Sequence, residues 1–362
     1  MAKLIFNKSD RIGIIGGGLA PYFNEAMANQ MYLLSKKNNV QVLTCNDIGL
    51  KMFDKMGKYF IVNTKFILNK TPLLSLINGI VLYFAIKLFE RKTDVIIVAG
   101  GIDSEFLNYL DLKKCIPIVT SIPVINDDLK KKIEKYSPKL LGIIAQSKRV
   151  KQLLVHMGVS LEKICLMYPL VDFKRYQYFE PPKINTFGVL FASAPNIETI
   201  DGNNFEDKGV PLLLDSFKKF IIENDATLYI LWRTKYNKEL YQKINELNLN
   251  DYVEVIDEIV DMPEMYAKIH LTVIPFLNLR RSPEIPLSAI ESLACGRPVL
   301  VTNVAEISEI VKKYKCGEVS NPIVDDFFIA LTNCKRNYNI YQKNCKTVID
   351  ELFHENTGEI TK

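Results

Sequence analysis

The feature that most limits what this chain can fold into is a short apolar run, rich in Val and Ile, that keeps returning with helix-length stretches between its copies. In the first half the runs are RIGIIG (11–16), VQVLT (40–44), DVIIVA (94–99), IPIVTS (116–121) and LLGIIAQ (140–146). In the second they are FGVLFA (187–192), TLYILW (227–232), YVEVI (252–256), LTVIPF (271–276) and PVLVT (298–302). Runs this continuously apolar are expected to be covered on both faces, as the strands of a parallel sheet are. Strand and helix alternating twice over predicts an α/β fold of two Rossmann-like, doubly wound domains.

The stretch MYPLVDFKRYQYFEPPK (167–183) is aromatic, charged and closed by Pro181-Pro182, so it cannot continue a helix and reads as the linker. We therefore expect a first domain over 1–175, a second over 176–335, and a C-terminal helical segment, 336–362, packing back towards the first domain. Two such domains imply a cleft between them at the C-terminal ends of the strands, where open α/β sheets take ligands.

Charge and cysteine content narrow the partners. A net charge of +5 suits an anionic ligand or a membrane surface and falls short of a nucleic-acid binder. Seven scattered cysteines form no CxxC pair and no signal-like N-terminus precedes them, which points to reduced thiols in the cytoplasm, possible contact with the inner membrane face included. Three histidines argue against histidine-built metal or triad chemistry. The apolar run LLSLINGIVLYFAIKLFE (73–90) is interrupted by Asn78, Gly79 and Lys87. It is short for a span of about 20 residues and is expected to cover the sheet, or to lie partly against lipid. The run KKKIEK (130–135) is either a solvated helix face or an anionic-membrane contact.

Four places offer chemistry. Gly16, Gly17 and Gly18 follow the first strand and open a helix, where backbone N–H groups can approach an anion or a sugar; the pattern is not GxGxxG. Lys208-Gly209 stands at a helix start after the first strand of the second domain, where a lysine could hold a diphosphate or simply face solvent. Arg233 follows the strand 227–232 and could fork a phosphate or pair with a surface acid. Last is RRSPEIPLSAIESLACGRPVLV (280–301), in which Pro286 suits a first helical turn and Leu287 and Ser288 carry free N–H groups. Arg280 and Arg281 add positive charge there, and Glu291, one to two turns in, could accept hydrogen bonds from two vicinal ribose hydroxyls. These pieces fit one nucleotide, with its diphosphate at the helix start and its ribose on the acid.

In this order and spacing, IIGGGLAPYF, IIAQSKRVKQLLVHMGVSLEKICLMYPLVDFKRY (143–176), DKGVPLLLDSF, DMPEMYAKIHLTVIPF (261–276) and PLSAIESLACGRPVLVT (286–302) resemble the retaining glycosyltransferases of family 4, glycosyl transferases group 1, over almost the whole chain. The resemblance implies the GT-B architecture, a nucleotide-diphosphate sugar (UDP- or GDP-linked) bound mainly by the second domain, and a glycan or lipid-linked acceptor bound mainly by the first. It implies neither a required metal nor another cofactor. By position, Lys208 resembles the diphosphate lysine, Glu291 the ribose carboxylate, and Gly16–Gly18 the glycine loop near the donor sugar.

Three positions depart from the family pattern. Counting back from Glu291, the first of the family's two glutamates falls on Pro283, with Glu284 one place late. Either the loop is a residue shorter and Glu284 still reaches the donor sugar, or that contact is lost. The family arginine before the lysine is missing from FASAPN (191–196), and Arg233 is its expected substitute. Where the family often has a histidine after the strand 116–121, this chain has Ser121, the candidate acceptor-side residue. Without an evident nucleophile or base, retention is best served by front-face attack in which the departing diphosphate takes the acceptor proton. A sugar-nucleotide 2-epimerase of the same fold, or a catalytically silent binding subunit, would share most of these residues.

Overall fold

The computed structural model describes residues 10–16, 30, 33, 40–44, 60–61, 72–183, 185–193, 203–232, 238–280 and 282–353. The chain divides into two compact units, the first reaching Leu170 and the second beginning at Val171.

In the first unit the elements are β1 (Ile12–Gly16), β2 (Val40–Thr44), β3 (Phe60–Ile61), α1 (Pro72–Arg91), β4 (Val95–Ala99), β5 (Cys115–Val119), α2 (Asp127–Tyr136), β6 (Ile143–Ala145), α3 (Lys148–His156) and β7 (Ile164–Leu166). The sheet runs β3-β2-β1-β4-β5-β6-β7, and every pairing is parallel. Alternate residues of one strand serve opposite cores, as a period of two requires. Along β4, Ile96 and Val98 join the core with Ile86 and Phe89 of α1, while Val95 and Ile97 join the other with Ile12 and Ile14. This is why the runs are continuously apolar. Asn126 and Ser147 start α2 and α3 by accepting the N–H groups of Leu129 and Val150 at 2.8 and 3.0 Å.

The second unit follows with β8 (Phe187–Ala192), α4 (Asn203–Asp207), α5 (Val210–Phe220), β9 (Ala226–Leu231), α6 (Lys238–Glu246), β10 (Val253–Ile256), α7 (Met262–Lys268), β11 (Leu271–Ile274), α8 (Leu287–Ala294), β12 (Val299–Thr302), α9 (Ile307–Tyr314), β13 (Gly317–Ser320), α10 (Val324–Arg336) and α11 (Tyr338–Val348). Its parallel sheet runs β10-β9-β8-β11-β12-β13. Strand order reverses between β8 and β11: β8 leads through its helices to β9 on one side, β11 through α8 to β12 on the other. The two doubly wound domains anticipated from the alternation are therefore present. The described part of the C-terminal segment packs within the second unit, with α11 against α8, α9 and α10. Residues 354–362 lie outside the described residues.

Candidate functional site

At the reversal between β8 and β11 neighbouring crossovers depart in opposite directions, which makes the C-terminal edge of the sheet there the place where an open α/β sheet takes a ligand. Lys208 stands at one side of it. The side chain is buried, and its ammonium donates to the carbonyl and the hydroxyl of Ser193, at 3.2 and 3.0 Å, immediately beyond the end of β8. Gly209 fixes this placement. It begins α5 with φ +70°, and a Cβ there would fall 1.8 Å from the carbonyl oxygen of Pro275, just past β11. Asp207 makes the same connection with hydrogen bonds. Its carbonyl accepts from Leu277 N–H at 2.9 Å and its carboxylate from the Asn278 amide. The lysine turn is thus tied directly to the loop that leads from β11 into α8.

Helix α8 opens on the other side. Pro286 is not its first residue, as expected, but its N-cap, with ψ 137° in the extended region; the helix begins at Leu287. No side chain caps it, so Leu287 and Ser288 offer their N–H groups at the positive end of the helix dipole. Glu291, one turn on, is 6% exposed. Its Oε2 accepts from the Tyr266 hydroxyl at 3.2 Å, and the Tyr266 hydroxyl also lies 3.2 Å from the carbonyl of Ser288. Burial dominates the electrostatics here and pushes the Glu291 carboxyl up to about 7, with Tyr176, Tyr266 and Arg175 pulling the other way. Tyr176 packs edge-on to Tyr266 at 6.1 Å, and its hydroxyl is raised by burial and by Glu291. Arg175 lies over the Tyr176 ring and pairs with Asp261 at 2.5 Å. A carboxyl poised near neutrality, fixed by one tyrosine, is chemically suited to receive vicinal hydroxyls.

Arg297 braces this wall. It is fully buried and donates to the carbonyls of Tyr266 (2.8 Å), Phe179 (2.9 Å) and Glu180 (2.8 Å), pinning residues 179–180 against the end of α7 and the turn after α8. His270 belongs to the core. Its Nδ1 accepts Gly188 N–H at 3.0 Å, its ring stacks on Phe187, and burial lowers it to about 4, so it is neutral.

Glu284 lies in the loop that leads into α8. It is 1% exposed, and its carboxylate accepts the N–H of Glu306 at 2.7 Å while its carbonyl accepts that of Ile307 at 3.1 Å. It therefore serves the start of α9, which accounts for a glutamate at this place. Gly16 is the last residue of β1 and pairs with Thr44. Gly17, Gly18, Arg233 and Arg281 lie outside the described residues.

In the first unit, Ser121 follows β5 and lines a cavity of about 470 Å³ with Gly100, Gly101, Asp103, Thr120 and Asn126. The cavity sits at the C-terminal ends of β4 and β5 and mixes hydroxyl, amide and carboxylate groups with Ile118 and Leu129.

Sequence reasoning missed Tyr266, Tyr176, Arg175, Asp207 and Arg297. Arg297 alone left a signal, as a cation inside the apolar CGRPVLV run. The tyrosines look like ordinary core residues until their hydroxyls are placed.

Residues 200–335 match the model of the family described as Glycosyl transferases group 1. No curated protein matches the chain in sequence. Among solved structures, HepE of Anabaena, solved with UDP and glucose, superposes with a TM-score of 0.73 at 14% identity, covering 97% of each chain. A glycosyltransferase from Rickettsia africae gives 0.72 at 15% identity over 98% of this chain and 96% of that one. Sucrose-phosphate synthase from Thermosynechococcus elongatus gives 0.72 at 14% identity over 96% of each. The fold is that of the GT-B glycosyltransferases, and the stretch that matches the family model falls within the second unit.

Proposed function

We propose that the chain is a retaining hexosyltransferase that moves a sugar from a UDP- or GDP-linked donor to a glycan acceptor. The carrying observation is the joining of Lys208-Gly209 to the loop before α8 at the strand-order reversal. It sets a buried ammonium and an uncapped helix start on one edge of the same sheet, a pairing suited to a diphosphate. Glu291 then takes the ribose hydroxyls, held by Tyr266. HepE, with UDP and glucose in its structure, supports a nucleotide of this class.

Chemistry in such a site is mostly charge stabilisation. As the bond from the anomeric carbon to the phosphate oxygen breaks, negative charge grows on the diphosphate facing Lys208 and the N–H groups of Leu287 and Ser288. The acceptor oxygen bonds to the same face of the anomeric carbon, and its proton passes to the departing phosphate. Ser121 and the cavity of the first unit are assigned to the acceptor. Glu284 shapes the loop through α9 and carries no reacting group in this scheme.

Labelled nucleotide sugars test the reading. Transfer to a glycan with retained anomeric configuration, unaffected by a chelator, supports it. Inverted product overturns the front-face mechanism, interconversion of free nucleotide sugars makes the chain an epimerase, and binding without turnover makes it a silent subunit.

A further inference from the structure

Helix α1 has two apolar faces, and only one meets the core. Ile86 and Phe89 are fully buried in the first unit. On the opposite side Ile80, Tyr83, Phe84 and Leu88 are 49, 46, 61 and 47% exposed. Positions 80, 84 and 88 recur at the helical i, i+4 spacing and 83 fills the adjacent row, so the four form one stripe. The Tyr83 and Phe84 rings meet edge to face at 5.9 Å. Cations end the stripe: Lys87 lies 5.8 Å from the Tyr83 ring centre, and Arg91 and Lys92 are exposed. Glu90, the acid of the same turn, is turned inward, its carboxylate accepting Asp111 N–H as well as pairing with Lys87 at 2.8 Å.

We propose that this stripe docks the protein on an anionic bilayer, the four apolar side chains entering the headgroup boundary and Arg91 meeting lipid phosphates. The charge argues for that occupant, because Arg91 is exposed at the end of the stripe while Glu90, the acid of that turn, is taken up by Lys87 and the Asp111 N–H. The area argues against a second copy of the chain. Four side chains of about 200 Å² each, half exposed, offer on the order of 400 Å², about half of what each partner of a stable dimer buries. Insertion across the membrane is not the mode either, since among the described residues no helix is long and apolar enough to cross. The lysine run of α2 does not compete for the role. That helix's apolar residues Ile133 and Tyr136 are buried, leaving no exposed apolar stripe, and Lys132 pairs with Asp128 and Asp103 at 2.8 and 3.0 Å and Lys130 with Asp127 at 3.9 Å.

Flotation of the full chain with vesicles is the test, using phosphatidylcholine alone and phosphatidylcholine mixed with phosphatidylglycerol. The wild type should float with the anionic vesicles at low salt and release as salt rises. Phe84→Ser should weaken this about tenfold, Phe84→Leu should retain it, and Arg91→Glu should weaken it and flatten its salt dependence. Leu88→Gln repeats the test should Phe84→Ser melt early. Failure of the wild type to float with anionic vesicles, equal flotation of wild type and both polar variants, or a solution dimer that Phe84→Ser dissociates would each overturn the proposal.

Discussion

Replacing Glu291 by Gln separates what this residue does to the fold from what it does for a ligand. The carboxyl is 6% exposed, and burial raises it from 4.5 to about 7. A shift of that size corresponds to about 3 kcal/mol of unfolding free energy. Its sign follows from where the proton sits. Between pH 4.5 and about 7 the folded chain holds a proton that the unfolded chain has released, so this contribution to stability falls as pH rises through the window. Gln keeps an oxygen for the Tyr266 hydroxyl and never ionises. Relative to the variant, the wild type should therefore lose up to about 3 kcal/mol on going from acid to mildly alkaline buffer, roughly 6–12 °C of melting temperature for a unit of this size. Thermal melts of both proteins without ligand, in buffers below and above the window, read this directly. Comparing the two proteins in each buffer cancels His270, which titrates in both. Saturating nucleotide should reverse the order in alkaline buffer, because only the ionised carboxylate receives the ribose strongly. A melting-temperature gap that is the same in both buffers would refute the reasoning, since it would mean that burial of Glu291 carries no electrostatic cost.

Lys208→Ala should lower kcat by roughly 100–1,000-fold with a much smaller change in KM for the donor, because the charge it faces grows on the way to the transition state; steady-state kinetics checks the split. Gly209→Ala should destabilise the second unit by more than about 2 kcal/mol in urea unfolding, since its Cβ would collide with the Pro275 carbonyl 1.8 Å away and its φ is +70°. His270, lowered to about 4 from 6.5, holds its proton more weakly in the folded chain than in the unfolded one. Its contribution is complete above pH 6.5 and is lost as pH falls through that interval towards 4. An acid melting series should show about 3 kcal/mol of loss there that His270→Gln removes.

The strands that read clearly were those buried on both faces. β8, FGVLFA, was found to the residue because its apolar run is continuous and bounded by polar neighbours. β3, β7 and β13 were not anticipated. β3 and β7 have two and three residues, and β13, GEVS at the sheet edge, alternates polar with apolar, so its stability comes from pairing with β12 and not from its own composition. The site was half legible. Lys208-Gly209 and Glu291 stand at places fixed by local signals, a glycine turn and a helix start. Tyr266, Arg297 and Asp207 act through partners 22 to 118 residues away, a relation that no local pattern encodes. Glu284 shows the converse: beside a ligand motif, one oxygen of its carboxylate takes the Glu306 N–H at the start of α9, a partner 22 residues away.

The most direct test is a crystal structure of the full chain with whichever of UDP and GDP raises its melting temperature more. The account predicts phosphate oxygens within hydrogen-bond distance of the Lys208 ammonium and the Leu287 and Ser288 N–H groups, with the ribose hydroxyls on Glu291. A nucleotide bound away from the β8–β11 reversal, or with its ribose out of reach of Glu291, would contradict it.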